Sequence, residues 1–338
     1  MKVKVRDIAL KAGVSDGTVS NALNNRKGIS EEKREYILKI AREMGYFKNN
    51  NEKDKEKIIR LIIVYKDAHV IGDTPFFSEL IRGIENECSL QGYELIINHV
   101  NSSSLQTGID KNLKLNQTSG ILLLGTEMDL DDLELFDSVY SPLVILDNEY
   151  SDMLYDYVAI NNFDGSYAIT KLLIDNGHKN IGLINSSYQI NNFKKRKMGY
   201  RTALDDYNLP FRPENEILVD PSPEGSYKDT KTYLKAFLEE LSIDELPTAF
   251  YAVNDNIAIG AIRAFQELKI DVSICGFDDL PISGLFNPAL TTVQVDKKQL
   301  GKIAVSRLIS KINGDTSHLK TLVSTKIVER DSVKKITQ

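Results

Sequence analysis

Asp16, Gly17, Thr18, Ser20 and Asn21 crowd the polar face at the start of one short helical stretch, and their chemistry is hydrogen bonding rather than proton or electron transfer. The hydroxyls of Ser15, Thr18 and Ser20 suit phosphate oxygens and base edges. An asparagine amide pairs bidentately with adenine, and an aspartate accepts from cytosine N4. Arg6, Asn24, Asn25 and Lys27 add donors for a phosphate backbone. Each of these residues also fits the solvated face of a small helix; the geometry and the local charge favour contact with DNA.

A second set lies further along. Asp147 and Asp278 each end an apolar run, where a carboxylate accepts well from hydroxyls; the competing role for each is a helix N-cap. Asn254 follows another buried run, with Asp255 reading as the cap of the next helix. Phe76, Phe77 and Tyr227 offer stacking walls, with core packing as the rival role for the phenylalanines. Asn192 is a weaker candidate on a loop before Arg196.

The elements that position the first set are legible. Ala9 is small enough for two helices to cross closely, Gly13 supplies a positive-φ turn, and Ser15 stands at an N-cap position. Val19 and Leu23, one turn apart, point back to Ile8 and Ala12. A third helix is predicted over 30–44, started by Ser30 and Lys33, with Ile37, Leu38, Ala41 and Met44 as its apolar stripe and Gly45 as its stop. The pattern is a helix-turn-helix, whose second helix enters the major groove by its N-terminal end. Lys48 to Lys57 is polar throughout and reads as a linker.

From Ile58 the pattern changes. Apolar runs at Ile58–Tyr65, Glu94–Asn98, Gly120–Leu124, Leu143–Asp147, Asn180–Ile184, Ala249–Val253 and Val272–Gly276 alternate with helical stretches. This predicts α/β architecture with parallel sheets covered on both faces. Some 270 residues is long for one such sheet, so two lobes are expected. The domains read as a head over 1–47, a linker over 48–57 and a body over 58–330. Its first lobe takes about 58–161 and 293–320, its second about 162–292 and 321–330. Chain crossings are expected near Asn161-Asn162, Thr291–Val295 and Leu319–Leu322. Ligands of doubly wound sheets bind at the carboxyl ends of the strands, here in the cleft between lobes.

Composition narrows the function. The formal net charge is −6, but residues 1–57 hold 14 Lys+Arg against 9 Asp+Glu and the rest 28 against 39, so a head of +5 precedes a body of −11. Only the head is suited to phosphate. No apolar run is long enough to span a bilayer and no signal-peptide segment is visible, so a cytoplasmic protein is expected. Cys88 and Cys275 read as buried free thiols. His178, between helix and strand, fits a turn role. With four histidines and no Ser-His-Asp or metal-ligand spacing, neither catalysis nor a metal or other cofactor is expected. No Gly-rich phosphate loop follows the first strand of the body, so nucleotide binding is unsupported.

In this order of parts the chain resembles the LacI/GalR family of transcriptional repressors, nearly end to end. The likeness rests on Asp7-Ile8-Ala9 with Gly13-Val14-Ser15 and Thr18-Val19-Ser20; on Ala41-Arg42-Glu43-Met44-Gly45-Tyr46; on Gly177-His178-Lys179-Asn180-Ile181-Gly182; on Arg196 before Gly199-Tyr200; on Asn254-Asp255; on Gly276-Phe277-Asp278-Asp279; and on Leu290-Thr291-Thr292-Val293. The resemblance implies a helix-turn-helix head on a two-lobed body like a type I periplasmic binding protein. It implies a homodimer on a pseudo-palindromic operator, and a small sugar or related metabolite in the cleft that changes the angle between lobes.

Carried over by position, the DNA contacts are Val5, Arg6, Ser15, Asp16, Gly17, Thr18, Ser20, Asn21, Asn24, Asn25, Ser30, Asn49 and Lys55, with Asp16, Gly17 and Asn21 reading bases. The effector contacts are Phe76, Phe77, Asp147, Asn192, Arg196, Tyr227, Asn254 and Asp278, Arg196 holding two adjacent hydroxyls. Two departures stand out. Relatives commonly have Pro, Ala and Leu where this chain has Lys48, Glu52 and Lys55, in a hinge helix whose leucine wedges into the minor groove; a lysine does not wedge in that way. Either DNA is bent less here, or Lys53, Lys55 and Lys57 touch its backbone. The chain is also a few residues short between Gln266 and Gly276. The expected function is an effector-controlled repressor of carbohydrate-utilisation genes, not an enzyme. The alternatives are a global catabolite regulator working with a phosphoprotein and, from another class, a sugar-processing enzyme with a fused DNA head.

Overall fold

The computed structural model describes residues 3–23, 29–44, 46, 57–66, 70–72, 74–105, 118–136, 139, 141–150 and 153–336. Asn24, Asn25, Lys27, Gly45, Asn49, Lys55 and most of the expected linker lie outside the described residues. The chain divides into two compact units, Met1–Glu56 and Lys57–Gln338.

The first unit holds α1 (Val5–Ala12), α2 (Asp16–Leu23) and α3 (Glu31–Glu43). Gly13 closes α1 at φ 66°, in the left-handed region where a side chain is strained. The Ser15 Oγ accepts from the Thr18 N–H at 3.2 Å and so caps α2. Ile8, Ala9, Val19, Ala22, Ile37, Ile40 and Ala41 form the buried core, with Ala12, Leu23 and Met44 packed against it. Ile40 rather than Leu38 completes the α3 stripe. Ser30 precedes α3 as expected, yet its side chain makes no capping bond.

The second unit contains two six-stranded sheets. In the first the order is β11-β5-β4-β3-β1-β2, from β1 (Ile58–Tyr65), β2 (Glu94–Asn101), β3 (Gly120–Leu124), β4 (Leu143–Leu146), β5 (Asp156–Ile160) and β11 (Lys320–Val323). In the second it is β12-β10-β9-β8-β6-β7, from β6 (Ile181–Ser186), β7 (Glu216–Val219), β8 (Ala249–Ala252), β9 (Ser273–Asp278), β10 (Thr291–Gln294) and β12 (Lys326–Val328). All pairings are parallel except β10 with β12. The inner strands β3, β4 and β8 are buried along their whole length, as strands covered on both faces must be.

The helices of this unit are α4 (Pro75–Leu90), α5 (Leu130–Glu134), α6 (Asn162–Asp175), α7 (Asn191–Asp206), α8 (Pro223–Glu240), α9 (Asp255–Glu267) and α10 (Lys297–Ile312). The chain passes between sheets from β5 to α6, from β10 to α10 and from β11 to β12. The first passage falls at Asn161-Asn162 as expected. The second falls after Gln294, within the expected Thr291–Val295, and the third after Val323, next to the expected Leu319–Leu322: Val293 still pairs with Phe277 in the second sheet, and Thr321, Leu322 and Val323 pair with β5 in the first. The lobe boundaries thus fall after Gln294 and after Val323, because strand pairing continues to those residues. The body also runs past 330: Ser332 is buried and its carbonyl accepts from the Ile274 N–H at 2.9 Å. Among the described residues no helix is long and apolar enough to cross a membrane.

Candidate effector cleft and DNA-facing helix

At the carboxyl ends of the strands, between the two sheets, lies a cleft of about 240 Å³. From the first sheet it is lined by Phe76 and Phe77 of α4, Thr126 after β3 and Asp147 after β4. From the second come Asn192 and Arg196 of α7, Asn254 after β8 and Asp278 ending β9. Seven of the eight effector residues expected from the sequence therefore meet in one place.

Tyr227 does not. It lies on α8 with its hydroxyl on Glu267 (2.5 Å) and the Arg263 guanidinium 4.4 Å from its ring centroid. The helix turns that ring toward α9, away from the cleft. Pro223, the first residue of α8, and the helix's N-cap Ser222 stand at the wall instead.

Arg196 is 3% exposed, and each nitrogen of its guanidinium makes a hydrogen bond. Nε donates to Asn162 Oδ1 at 2.8 Å, Nη1 to the Val253 carbonyl at 2.7 Å and Nη2 to Asp278 Oδ1 at 3.0 Å. Its Cζ lies 3.7 Å from the Phe277 ring centroid. A guanidinium has five N–H groups, so one on each Nη is left over. Gly199 explains the placement: a Cβ there would stand 2.3 Å from the Phe163 carbonyl, so only glycine lets α7 lie this close to α6.

The carboxylates are held as firmly. Asp147, at φ 60°, accepts from the Thr126 hydroxyl at 2.6 Å and from Asn192 Nδ2 at 3.1 Å. Burial pushes its carboxyl up to about 6, against the pull of these donors and of Arg196. Burial also raises Asp278, opposed by Arg196 and Lys297. Asn254 caps α9, its Oδ1 accepting from the Ile257 N–H at 2.9 Å, so the cap and the wall are the same residue. Asp255 is not the cap expected of it but the first residue of α9, its carboxylate turned to other partners because Asn254 already caps the helix. Fully buried, it accepts from the Leu280 N–H and the Ser283 and Thr292 hydroxyls, and burial pushes it up to about 7. Gly276 makes room for it, since a Cβ there would lie 2.3 Å from Asp255 Oδ1.

Sequence reasoning missed Thr126, Asn162 and Phe277 as supports. Asn162 and Phe277 lay inside stretches already singled out; Thr126 follows the β3 run, where the strand-end rule that found Asp147 applies equally. His178 has a structural role, with Nδ1 on the Thr248 hydroxyl and Nε2 on the Lys334 carbonyl.

In the head, Arg6, Asp16 and Gly17 are exposed, while Thr18, Ser20 and Asn21 are half-buried on the outer side of α2. Val5 packs against the head's core instead. A Cβ on Gly17 would meet only the Ser15 Oγ, at 3.8 Å, so the head's own packing does not demand glycine there.

The comparisons with known proteins agree along the chain. Residues 4–49 match the model for bacterial regulatory proteins of the lacI family, and 170–333 the periplasmic binding protein-like domain. The HTH-type transcriptional repressor PurR of Actinobacillus pleuropneumoniae serotype 3 (strain JL03) is 30% identical over 321 residues, covering 92% of this chain and 91% of that protein. The fold is that of the transcriptional regulator CelR–cellobiose complex (TM-score 0.73, 21% identity, 98% of this chain and 100% of that one). It is equally that of the lac repressor dimer bound to operator and the anti-inducer ONPF (TM-score 0.72, 23% identity, 99% and 100%). With a helix-turn-helix head, two parallel α/β lobes and a relative of this identity across nine-tenths of its length, the chain belongs to the LacI family: it is a DNA-binding transcriptional repressor with an effector-binding body, not an enzyme.

Proposed function

We propose that this repressor controls carbohydrate-utilisation genes, that its effector is a small uncharged sugar or a close relative, and that it acts as a homodimer on a pseudo-palindromic operator. The observation that carries the reading is the arrangement around Arg196. Two N–H groups remain on neighbouring nitrogens of a guanidinium whose other donors are fixed. Two carboxylates, Asp147 and Asp278, flank it as acceptors, and Phe76 and Phe77 stand opposite. A sugar needs this mixture, because each hydroxyl both donates and accepts while its C–H face is apolar. The cleft is also smaller than the roughly 300–1,000 Å³ usual for drug-sized ligands, which favours a monosaccharide-sized guest.

On the DNA side, the exposed Asp16 and Gly17 and the half-buried Asn21 on α2 support base reading. Binding of effector releases or strengthens DNA binding only as far as it favours one lobe angle over another.

The test is Arg196→Ala, assayed by calorimetry against a panel of neutral sugars that includes ribose and cellobiose, and by operator binding with and without them. A charged hydrogen bond in a closed cleft contributes about 1.5–3 kcal/mol, so affinity should fall at least tenfold while effector-free operator binding survives. Unchanged effector affinity in Arg196→Ala defeats the reading.

A further inference from the structure

Directly behind Asp278 lies a buried cation that the effector reading does not use. Lys297 is 4% exposed and its ammonium meets three backbone carbonyls: Asp278 at 2.5 Å, Asp279 at 3.1 Å and Val295 at 3.4 Å. An ammonium has three donors and no acceptor, so this set uses it fully. The ammonium also lies 5.7 Å from the centroid of the Phe76 ring in the cleft wall.

Two of the three carbonyls it gathers belong to an unusual bend. Asp278 has φ 112° and Asp279 φ 51°, two successive non-glycine residues in the left-handed half of backbone space. Such a conformation persists only where its surroundings over-determine it. Here the Asp279 carboxylate is held by Arg330 Nη2 at 2.6 Å and Gln294 Nε2 at 2.8 Å, and Lys297 holds both carbonyls of the bend. Lys297 is the first residue of α10, on the first sheet's side of the crossing from β10, whereas the bend ends β9 of the second sheet.

We propose that Lys297 is a positioning residue for the effector: by fixing the Asp278–Asp279 bend from across the lobe crossing, it presents the Asp278 carboxylate to Arg196 and to the ligand. This rests on the cleft being the effector site.

The charged groups around the Asp278 carboxylate are Arg196 from α7, Lys297 from α10, Asp255 from α9 and Asp147 from the turn after β4. Removing the Lys297 charge leaves one cation fewer, so the Asp278 carboxyl should release its proton at higher pH. In the full-length protein, carbon-13 labelling of aspartate carboxyls reads this without any ligand, with Asp278→Asn giving the assignment. In Lys297→Met the Asp278 midpoint should rise by about one pH unit; in Lys297→Arg, which keeps the charge, it should stay near wild type. Should Lys297→Met not fold, Lys297→Gln, whose amide still donates to the Asp278 carbonyl, carries the same comparison. An unchanged midpoint overturns the proposal.

The second arm measures affinity for ribose and cellobiose in wild type, Lys297→Met, Asp278→Asn and the double variant. Lys297→Met should lose about tenfold, and little more should be lost when it is added to Asp278→Asn, because the lysine acts through that carboxylate. Additive losses overturn the proposal. Arg196→Ala in the same series separates the two ideas. Equal binding by wild type and Arg196→Ala means the cleft reading has failed, while loss in Arg196→Ala with none in Lys297→Met means only the role of Lys297 has.

Discussion

In the head, Asp16 and Gly17 at the start of α2 are exposed and Thr18, Ser20 and Asn21 are half-buried. In the body, the polar residues around the cleft are buried and bonded to one another, Arg196 at 3%, Asp147 at 2% and Asn192 at 5% exposure. The two regions have different tasks. A surface meant for a polyanion keeps its donors hydrated and relies on charge to attract its partner. A cleft that takes a small-molecule effector has its donors and acceptors fixed beforehand, so that binding does not have to order them. The cores differ as well: seven buried apolar residues among those described in the head, against two full sheets and their helices in the body. The head is thus the more easily broken of the two, and removing or damaging it should leave the body intact.

The largest test is removal of residues 1–57. Operator binding should vanish, while circular dichroism and calorimetry should show a folded body that still binds the effector. Specific DNA binding by the truncated protein would mean that the charge split between head and body has been misread.

Next in size is a cavity in each core. Ile37 in α3 and Ile145 in β4 are both fully buried. Truncation of either to alanine costs about 2–5 kcal/mol. A three-helix head has little stability in reserve, so Ile37→Ala should abolish operator binding and leave the body's melting temperature alone. Ile145→Ala should lower that temperature without unfolding the protein at 25 °C. Equal operator binding by the two variants would remove the contrast between the cores.

The cleft side makes a prediction about pH. Burial raises Asp147 to about 6 and Asp255 to about 7, above the roughly 3.9 of an unfolded aspartate. Between these values the folded body binds more protons than the unfolded chain, so stability falls as pH rises. The contribution is complete below about pH 4 and lost as pH climbs through 6 to 7. The melting temperature of the body should therefore be several degrees higher at pH 5 than at pH 7.5. Asp255→Asn should flatten that slope, measured by calorimetry across the range. A slope unchanged in the variant would assign the effect elsewhere.

How far the sequence shows all this follows the same division. The inner strands β1, β3, β4 and β8 announce themselves because burial on both faces demands unbroken apolar runs. Strand β5 is hidden because it begins with Asp156, a buried carboxylate held by Arg307 and Lys311 from α10, more than 150 positions away. The edge strands β7, β11 and β12 are short and half-exposed, with no such run to mark them. In the cleft, Asp147, Asn254 and Asp278 were legible as strand-end polar residues. Tyr227 was misplaced because composition says nothing about which way a helix turns a ring. Lys297 was invisible, since its three carbonyls are brought together only by the crossing.

Smaller effects come from α2 itself, where substitutions should change DNA binding and head stability separately. Asn21→Ala should cost about 1–3 kcal/mol on operator and much less on unrelated DNA, as a base-reading side chain does; equal losses on both would make it a phosphate contact. Gly17→Ala is subtler. A glycine inside a helix costs about 0.5–1 kcal/mol relative to alanine, and the added methyl would make only an ordinary contact, with the Ser15 Oγ at 3.8 Å. Alanine should therefore raise the head's stability by about that amount. If glycine is kept because DNA passes close to the α2 backbone, the same methyl should weaken operator binding. Hydrogen exchange on the head and fluorescence anisotropy on operator DNA measure the two quantities side by side. Opposite signs would place the reason for Gly17 outside the protein's own packing. A gain in both would show that DNA makes no demand at this position, and that the α2 contact surface begins after it.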